Sequence, residues 1–151
     1  MNILDATTPT LIQGGKSIDD RGSLSFNNEV VLSSFQRFYA IENHKQGFIR
    51  AWHGHLKESK LFVPLKGSFL VAAVPLDHPI NPSKDNEIYK TVLSESGAKS
   101  LFIPKGYANG FMNLSADAVL LVFSSSTLEE SKDDDFRFNF DYWNAWNIEQ
   151  R

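Results

Sequence analysis

The chain has 151 residues, 42% of them hydrophobic and 13% aromatic, and a formal net charge of −3. That is enough apolar material for a buried core, which argues against a disordered chain, and without a basic excess a dedicated nucleic-acid binder is disfavoured. There is no cysteine, so disulfide scaffolds, thiolate zinc sites and cysteine nucleophiles are excluded. Met1 to Gln13 lacks the basic start and apolar stretch of a signal peptide, and apolar runs such as Ala118 to Phe123 are far too short to span a bilayer. The expectation is a cytoplasmic protein with one domain over residues 1–151 and no nucleic-acid or membrane partner.

Strand signals dominate. Phe35 to Ile41 alternates large residues around Tyr39. Leu61 to Val74 is rich in Phe, Leu and Val and is broken at Lys66-Gly67, which reads as a hairpin. His78 to Asn86, with two prolines, reads as a surface loop. Ile88 to Leu93 alternates again, and Ser100 to Ile103 is stopped by Pro104-Lys105-Gly106. Phe111 to Leu114 and Ala118 to Ser125 follow, with a turn at Ser115 to Asp117. Glu129 to Asp135 reads as a solvated charged loop. Helical periodicity is confined to short turns, one within Val30 to Phe35 and one after Asp134. Many short strands at regular spacing predict an all-β sandwich or barrel.

Two segments carry chemistry. The first is Arg50-x-x-His53-x-His55. Residues two apart on a strand face the same side, so His53 and His55 project together, joined by Lys57 if the strand continues. Two imidazoles on one face suit metal binding or proton transfer; the plain alternative is an exposed pair on an edge strand. The second is Pro104-Lys105-Gly106-Tyr107-Ala108-Asn109-Gly110-Phe111-Met112-Asn113, a tight turn that presents a strand.

Together these segments resemble the paired motifs of the cupin superfamily. His53, His55, Glu58 and Gly67 match the first motif. Pro104, Gly106, Asn109 and Asn113 match the second, with Asn109 where metal-binding cupins place their last His. The resemblance implies a cupin-type (jelly-roll) antiparallel β-sandwich. Because Asn is a poor ligand for zinc or iron, proton transfer is the better use of the site, and no metal or other cofactor is expected. A facial triad of His53, His55 and Glu58 is the metal-dependent alternative.

Within the cupins the chain is similar to the dTDP-4-dehydrorhamnose 3,5-epimerases. The matching segments are Asp19-Asp20-Arg21-Gly22, Arg50-Ala51-Trp52-His53, Lys60-Leu61-Phe62-Val63 and Ile103 to Phe111. The resemblance implies that His53 is the base beside the C4 ketone, and that Arg50 and Lys60 line the sugar site. It also implies that Arg21 helps hold the diphosphate and that Asn109 takes the place of a His facing the sugar. Val122 stands where those epimerases carry their acid Tyr, and the tail offers no counterpart to the Asp that orients their His. A sister family, the dTDP-sugar 3,4-ketoisomerases, is matched by Arg50-x-x-His53-Gly54-His55, by Arg37-Phe38-Tyr39 and by Asp117 to Val122.

The expected function is therefore proton transfer next to the ketone of a dTDP-4-keto-6-deoxyhexose. His53 and His55 are the catalytic candidates, and Arg21, Arg50, Lys60 and Asn109 the substrate-binding ones. The 3,5-epimerase stands slightly ahead of the 3,4-ketoisomerase, and a non-catalytic nucleotide-sugar-binding cupin is the third reading. Tyr39, Tyr107 and Tyr142 are candidates for the missing acid. Trp143 and Trp146 read as packing residues, and a homodimer follows from the resemblance.

Overall fold

The computed structural model describes residues 2–151. Its strands are β1 (Thr10–Gln13), β2 (Gly15–Asp19), β3 (Gly22–Phe26), β4 (Arg37–Ile41), β5 (Ile49–His55), β6 (Lys60–Lys66), β7 (Ser68–Pro75), β8 (Tyr89–Ser94), β9 (Lys99–Ile103), β10 (Tyr107–Asn113), β11 (Val119–Ser124) and β12 (Phe136–Arg137). One short helix, α1 (Leu128–Lys132), precedes β12 and is opened by a Thr127–Glu130 capping box. Two five-stranded antiparallel sheets result, ordered β1-β9-β6-β11-β4 and β12-β5-β10-β7-β8. The fold is all-β and cupin-like, as expected. The β2–β3 hairpin forms a third, two-stranded sheet of its own.

The apparent hairpin at Lys66-Gly67 is a correction. β6 pairs with β9 and β11, whereas β7 pairs with β8 and β10. Gly67, at φ 70°, turns the chain from one sheet to the other rather than back on itself. A run of apolar residues broken by a turn has the same pattern in both cases, because both strands face one core. The charged segment before β12 also differs from the expectation: Leu128 to Lys132 is helical and Asp134 is buried.

The space between the sheets is filled by Phe62, Phe69, Val71, Leu93, Leu101, Ile103, Phe111, Leu120 and Val122. A second apolar layer covers the other side of the β5-β10-β7 sheet. There Trp52, Leu70, Ala72, Val74, Ala108 and Met112 meet Trp143, Ala145 and Trp146 from the C-terminal segment. Trp52 packs at 5.3 Å and 5.2 Å, centroid to centroid, on Trp143 and Trp146. The tail tryptophans are thus packing residues. Their indole N–H groups donate to Ser83 and Phe140 carbonyls, so neither ring buries an unpaired donor.

Candidate active site

β5 carries the first motif, and a bulge sets its geometry. Asn109 pairs with His53, but two positions on along β10, Phe111 pairs with Arg50 rather than Ala51. One extra residue on β5 therefore lies opposite Gly110. In a regular strand Arg50 and His53, three apart, would face opposite sides. The bulge restores the parity, so Arg50, His53 and His55 share the inner face while Ile49, Ala51 and Trp52 pack on the outer layer. Gly110 makes room for it. A Cβ there would lie 2.5 Å from the Ala51 methyl and 2.9 Å from the Trp146 ring.

His53 sits in a row across the sheet, with Asn109 on one side and Arg137 of β12 on the other. Burial first, then the charges of Lys60 and Arg137, push its pKa down to about 4, against the opposing pull of Asp135. His53 is therefore a neutral imidazole at physiological pH. Asn109 is buried beside it. The other sheet presents Arg37, Tyr39, Lys60, Phe62 and Val122 to the same space, because these positions pair along the inward-facing rows of β4, β11 and β6.

His55 is placed differently. Its Nδ1–H donates to the Asp134 carbonyl at 2.6 Å, which fixes the tautomer, and its Nε2 lies 3.4 Å from Glu58 Oε2. Burial and Lys60 hold its pKa below the usual value. Both ring nitrogens thus face protein groups. Lys57 does not join the row: the strand ends at His55, and the Lys57 side chain is exposed.

Below His55 lies a charged cluster that the sequence did not announce. Glu58 is almost fully buried, with Lys60 Nζ at 3.5 Å and Arg37 Nη2 at 3.7 Å, and it accepts a hydrogen bond from Ser131 of α1. The Asp134 carboxylate collects the backbone N–H groups of Leu56, Lys57 and Glu58 at 2.7–2.9 Å, a nest that ends β5 and turns the chain toward β6. Glu58 is thus paired with two cations and lies against His55. Among the described residues no group of three or more His, Cys, Asp or Glu could hold a metal ion.

The remaining candidates fall in two places. Arg50 is on the inner face, with its Nε donating to Asn43 Oδ1 at 2.7 Å, and Asn43 in turn donates to Asn113 at 3.1 Å. Arg21 lies apart, on the exposed β2–β3 hairpin, where its guanidinium pairs with Asp19 at 2.6 Å. Tyr142 is tied to the Pro82 carbonyl at 2.6 Å behind the outer layer. His44 and His78 are exposed. Sequence reasoning missed Arg137, although Phe136, Phe138 and Phe140 alternate with Arg137, Asn139 and Asp141, which is a strand signal. It also had no means of singling out Asp134 from three consecutive aspartates.

Comparison with known proteins places this geometry. Residues 7–144 match the family described as FdtA: WxcM-like, C-terminal. The chain belongs to this family. It is 30% identical over 118 residues to the TDP-4-oxo-6-deoxy-alpha-D-glucose-3,4-oxoisomerase of Aneurinibacillus thermoaerophilus, covering 77% of this chain and 78% of that one. The fold of this FdtA-family chain is similar to that of the sugar 3,4-ketoisomerase QdtA of Thermoanaerobacterium thermosaccharolyticum, solved in complex with TDP. The TM-score is 0.69 at 22% identity, over 90% of this chain and 91% of that one. It is also similar to that of the dTDP-4-dehydrorhamnose 3,5-epimerase of Bacillus anthracis, with a TM-score of 0.76 at 23% identity over 95% and 87% of the two chains.

Proposed function

We propose that this chain is a 3,4-ketoisomerase of a TDP-linked 4-keto-6-deoxyhexose, with His53 as the base. One observation carries the reading: a neutral His53 opens on an interior lined by cations, while Val122, fully buried, occupies the position of the acid in the opposite sheet. Ketoisomerisation that returns the proton to the face it left needs no second-face acid. His53 removes the C3 proton, the electrons pass to O4 as an enediolate, the O3 hydroxyl proton moves to O4, and the proton held by His53 is delivered to C4 while O3 becomes the ketone. Lys60 and Arg50 supply positive charge for the enediolate oxygens. Asn109, beside His53, is positioned to hydrogen-bond a sugar hydroxyl, and His55 braces the end of the strand that carries the base.

The 3,5-epimerase is the second reading, and one contact favours it. Tyr39 is the cross-strand partner of Val122 and faces the same interior, so a phenol stands one strand away from the expected acid. Incubation with dTDP-4-keto-6-deoxyglucose in deuterated water, followed by NMR, separates the readings. A ketone moved to C3 supports the isomerase. Deuterium at C3 and C5 with the ketone still at C4 supports the epimerase with Tyr39 as acid. Tight binding with neither outcome supports a non-catalytic nucleotide-sugar-binding role.

The working unit under this reading is a homodimer. Two apolar surfaces support it: Ile18 and Leu24 on the free hairpin, and Phe38, 68% exposed against Phe123, on the outer face of the first sheet. A second copy is also the route by which Arg21 would reach a diphosphate. Sedimentation equilibrium tests this, with a monomer at micromolar concentration as the failing result. A nucleotide-sugar substrate also assigns the protein to the cytoplasm, since a diphosphate of this charge does not cross a bilayer unaided.

A further inference from the structure

The cations that face the interior each touch a protein partner. Lys60 and Arg37 lie against Glu58, and Arg50, like Arg137, gives away its Nε. Arg137 is set apart by its place in the sheet. It is the cross-strand partner of His53, so its side chain leaves the sheet on the same face as the imidazole, one strand spacing of about 4.8 Å nearer the edge. β12 pairs with β5 alone, which makes it the border of the sheet, and the Arg137 side chain is 69% exposed there. Asp135 accepts from Arg137 Nε at 3.0 Å and 3.3 Å through its two oxygens. That grip orients the guanidinium and leaves its outer Nη edge unclaimed.

A guanidinium edge of this kind fits a phosphate with two parallel hydrogen bonds. The distance also suits the substrate class. A sugar ring with its reacting carbon at His53 places its anomeric oxygen a few ångströms away, and the phosphates follow outward toward solvent. We propose that Arg137, oriented by Asp135, is the residue of this chain that grips the diphosphate of the nucleotide sugar at the mouth of the site. The proposal rests on the nucleotide-sugar reading above. Arg137 has a second effect on the same row: its charge opposes protonation of His53, so the residue that holds the anion also helps keep the base neutral.

The test is calorimetric titration of TDP into the intact protein and its variants. Arg137→Ala should weaken TDP binding at least tenfold and Arg137→Lys by less, because Lys keeps the charge but loses the fork. Arg137→Gln retains the stem along the sheet and replaces Arg137→Ala if the latter melts early. Uncharged thymidine should bind Arg137→Ala and wild type alike. Arg151→Ala, on a tail residue paired with Glu149, should stay within twofold of wild type. In kinetics, Arg137→Ala should raise KM more than it lowers kcat and move the acid limb of kcat/KM to higher pH, a shift that a merely structural role would not produce. TDP binding to both Arg137→Ala and Arg137→Gln within twofold of wild type overturns the inference and leaves the nucleotide-sugar reading standing. Failure of wild type to bind TDP at all removes that reading and the inference together.

Discussion

The two faces of β5 solve different problems with neighbouring residues. Trp52 points outward into a layer of Trp143, Trp146, Ala108 and Met112, with its indole N–H satisfied by Phe140. His53 points inward beside Asn109, Lys60 and Arg137, polar groups that ordinary packing would avoid. The outward face holds the strand in place, and the inward face keeps an imidazole desolvated and neutral.

The largest expected effects separate the faces outright. His53→Ala should cost on the order of 10²–10⁴-fold in turnover while leaving the melting temperature nearly unchanged. Trp52→Ala should cost about 3–5 kcal/mol of stability, measured by chemical denaturation, while the folded fraction keeps its turnover at low temperature. If Trp52→Ala instead abolishes turnover in fully folded protein, the division of labour between the faces is wrong.

Glu58 tests the boundary between them. Glu58→Ala leaves Lys60 and Arg37 buried without their counter-charge and should destabilise by about 3–5 kcal/mol. Glu58→Gln, which keeps the shape and the Ser131 contact, should cost less. Equal denaturation midpoints for wild type and Glu58→Ala would mean that the cluster is solvated and not a structural element.

The pH dependence sharpens the inward face. Folding holds His53 at about 4 against an ordinary 6.5, so in that window the unfolded chain binds more protons than the folded one. Stability should therefore fall as pH drops from about 6.5 to 4 and level off below. The His53 contribution is on the order of 3 kcal/mol, with His55 adding in the same direction. His53→Gln should flatten part of that slope. Turnover should keep its base form down to roughly pH 4, wherever the fold survives.

Smallest is the bulge itself. Gly110→Ala should cost about 1–3 kcal/mol, since the added methyl meets Ala51 and Trp146. It should also raise KM, because Arg50 and His53 lose their common face. A crystal structure of Gly110→Ala with an unchanged bulge would refute the link between the two.

Much of this was legible in the residues. The strands from β4 to β11 and the co-facing of His53 and His55 follow from pattern and motif, whereas β12 stands where a short helical turn was expected, and the second motif placed Asn109 in the site through family likeness. The hairpin error at Lys66-Gly67 has a physical cause: local pattern reports that a residue faces a core, not which sheet supplies its hydrogen bonds. Asp134 and Arg137 were hidden for a related reason. Their roles depend on contacts across 70 or more positions of chain, from Asp134 to Leu56, Lys57 and Glu58 and from Arg137 to His53. Arg21 shows the converse, since motif likeness marked it for the site while the single chain carries it elsewhere.

The bulge at Ala51-Trp52 also changes how such sites are found. An odd interval between two functional side chains normally counts against their sharing a strand face, so a search tuned to even spacing would discard Arg50 and His53 as a pair. Here the odd interval, followed by an even one to His55 and set opposite a glycine on the partner strand, is itself the signature. A relative shortened by one residue between the Arg and the His, with a larger residue in place of that glycine, would present the same inner surface from a regular ladder. Spacing and glycine should therefore change together across the family, as two letters of one word.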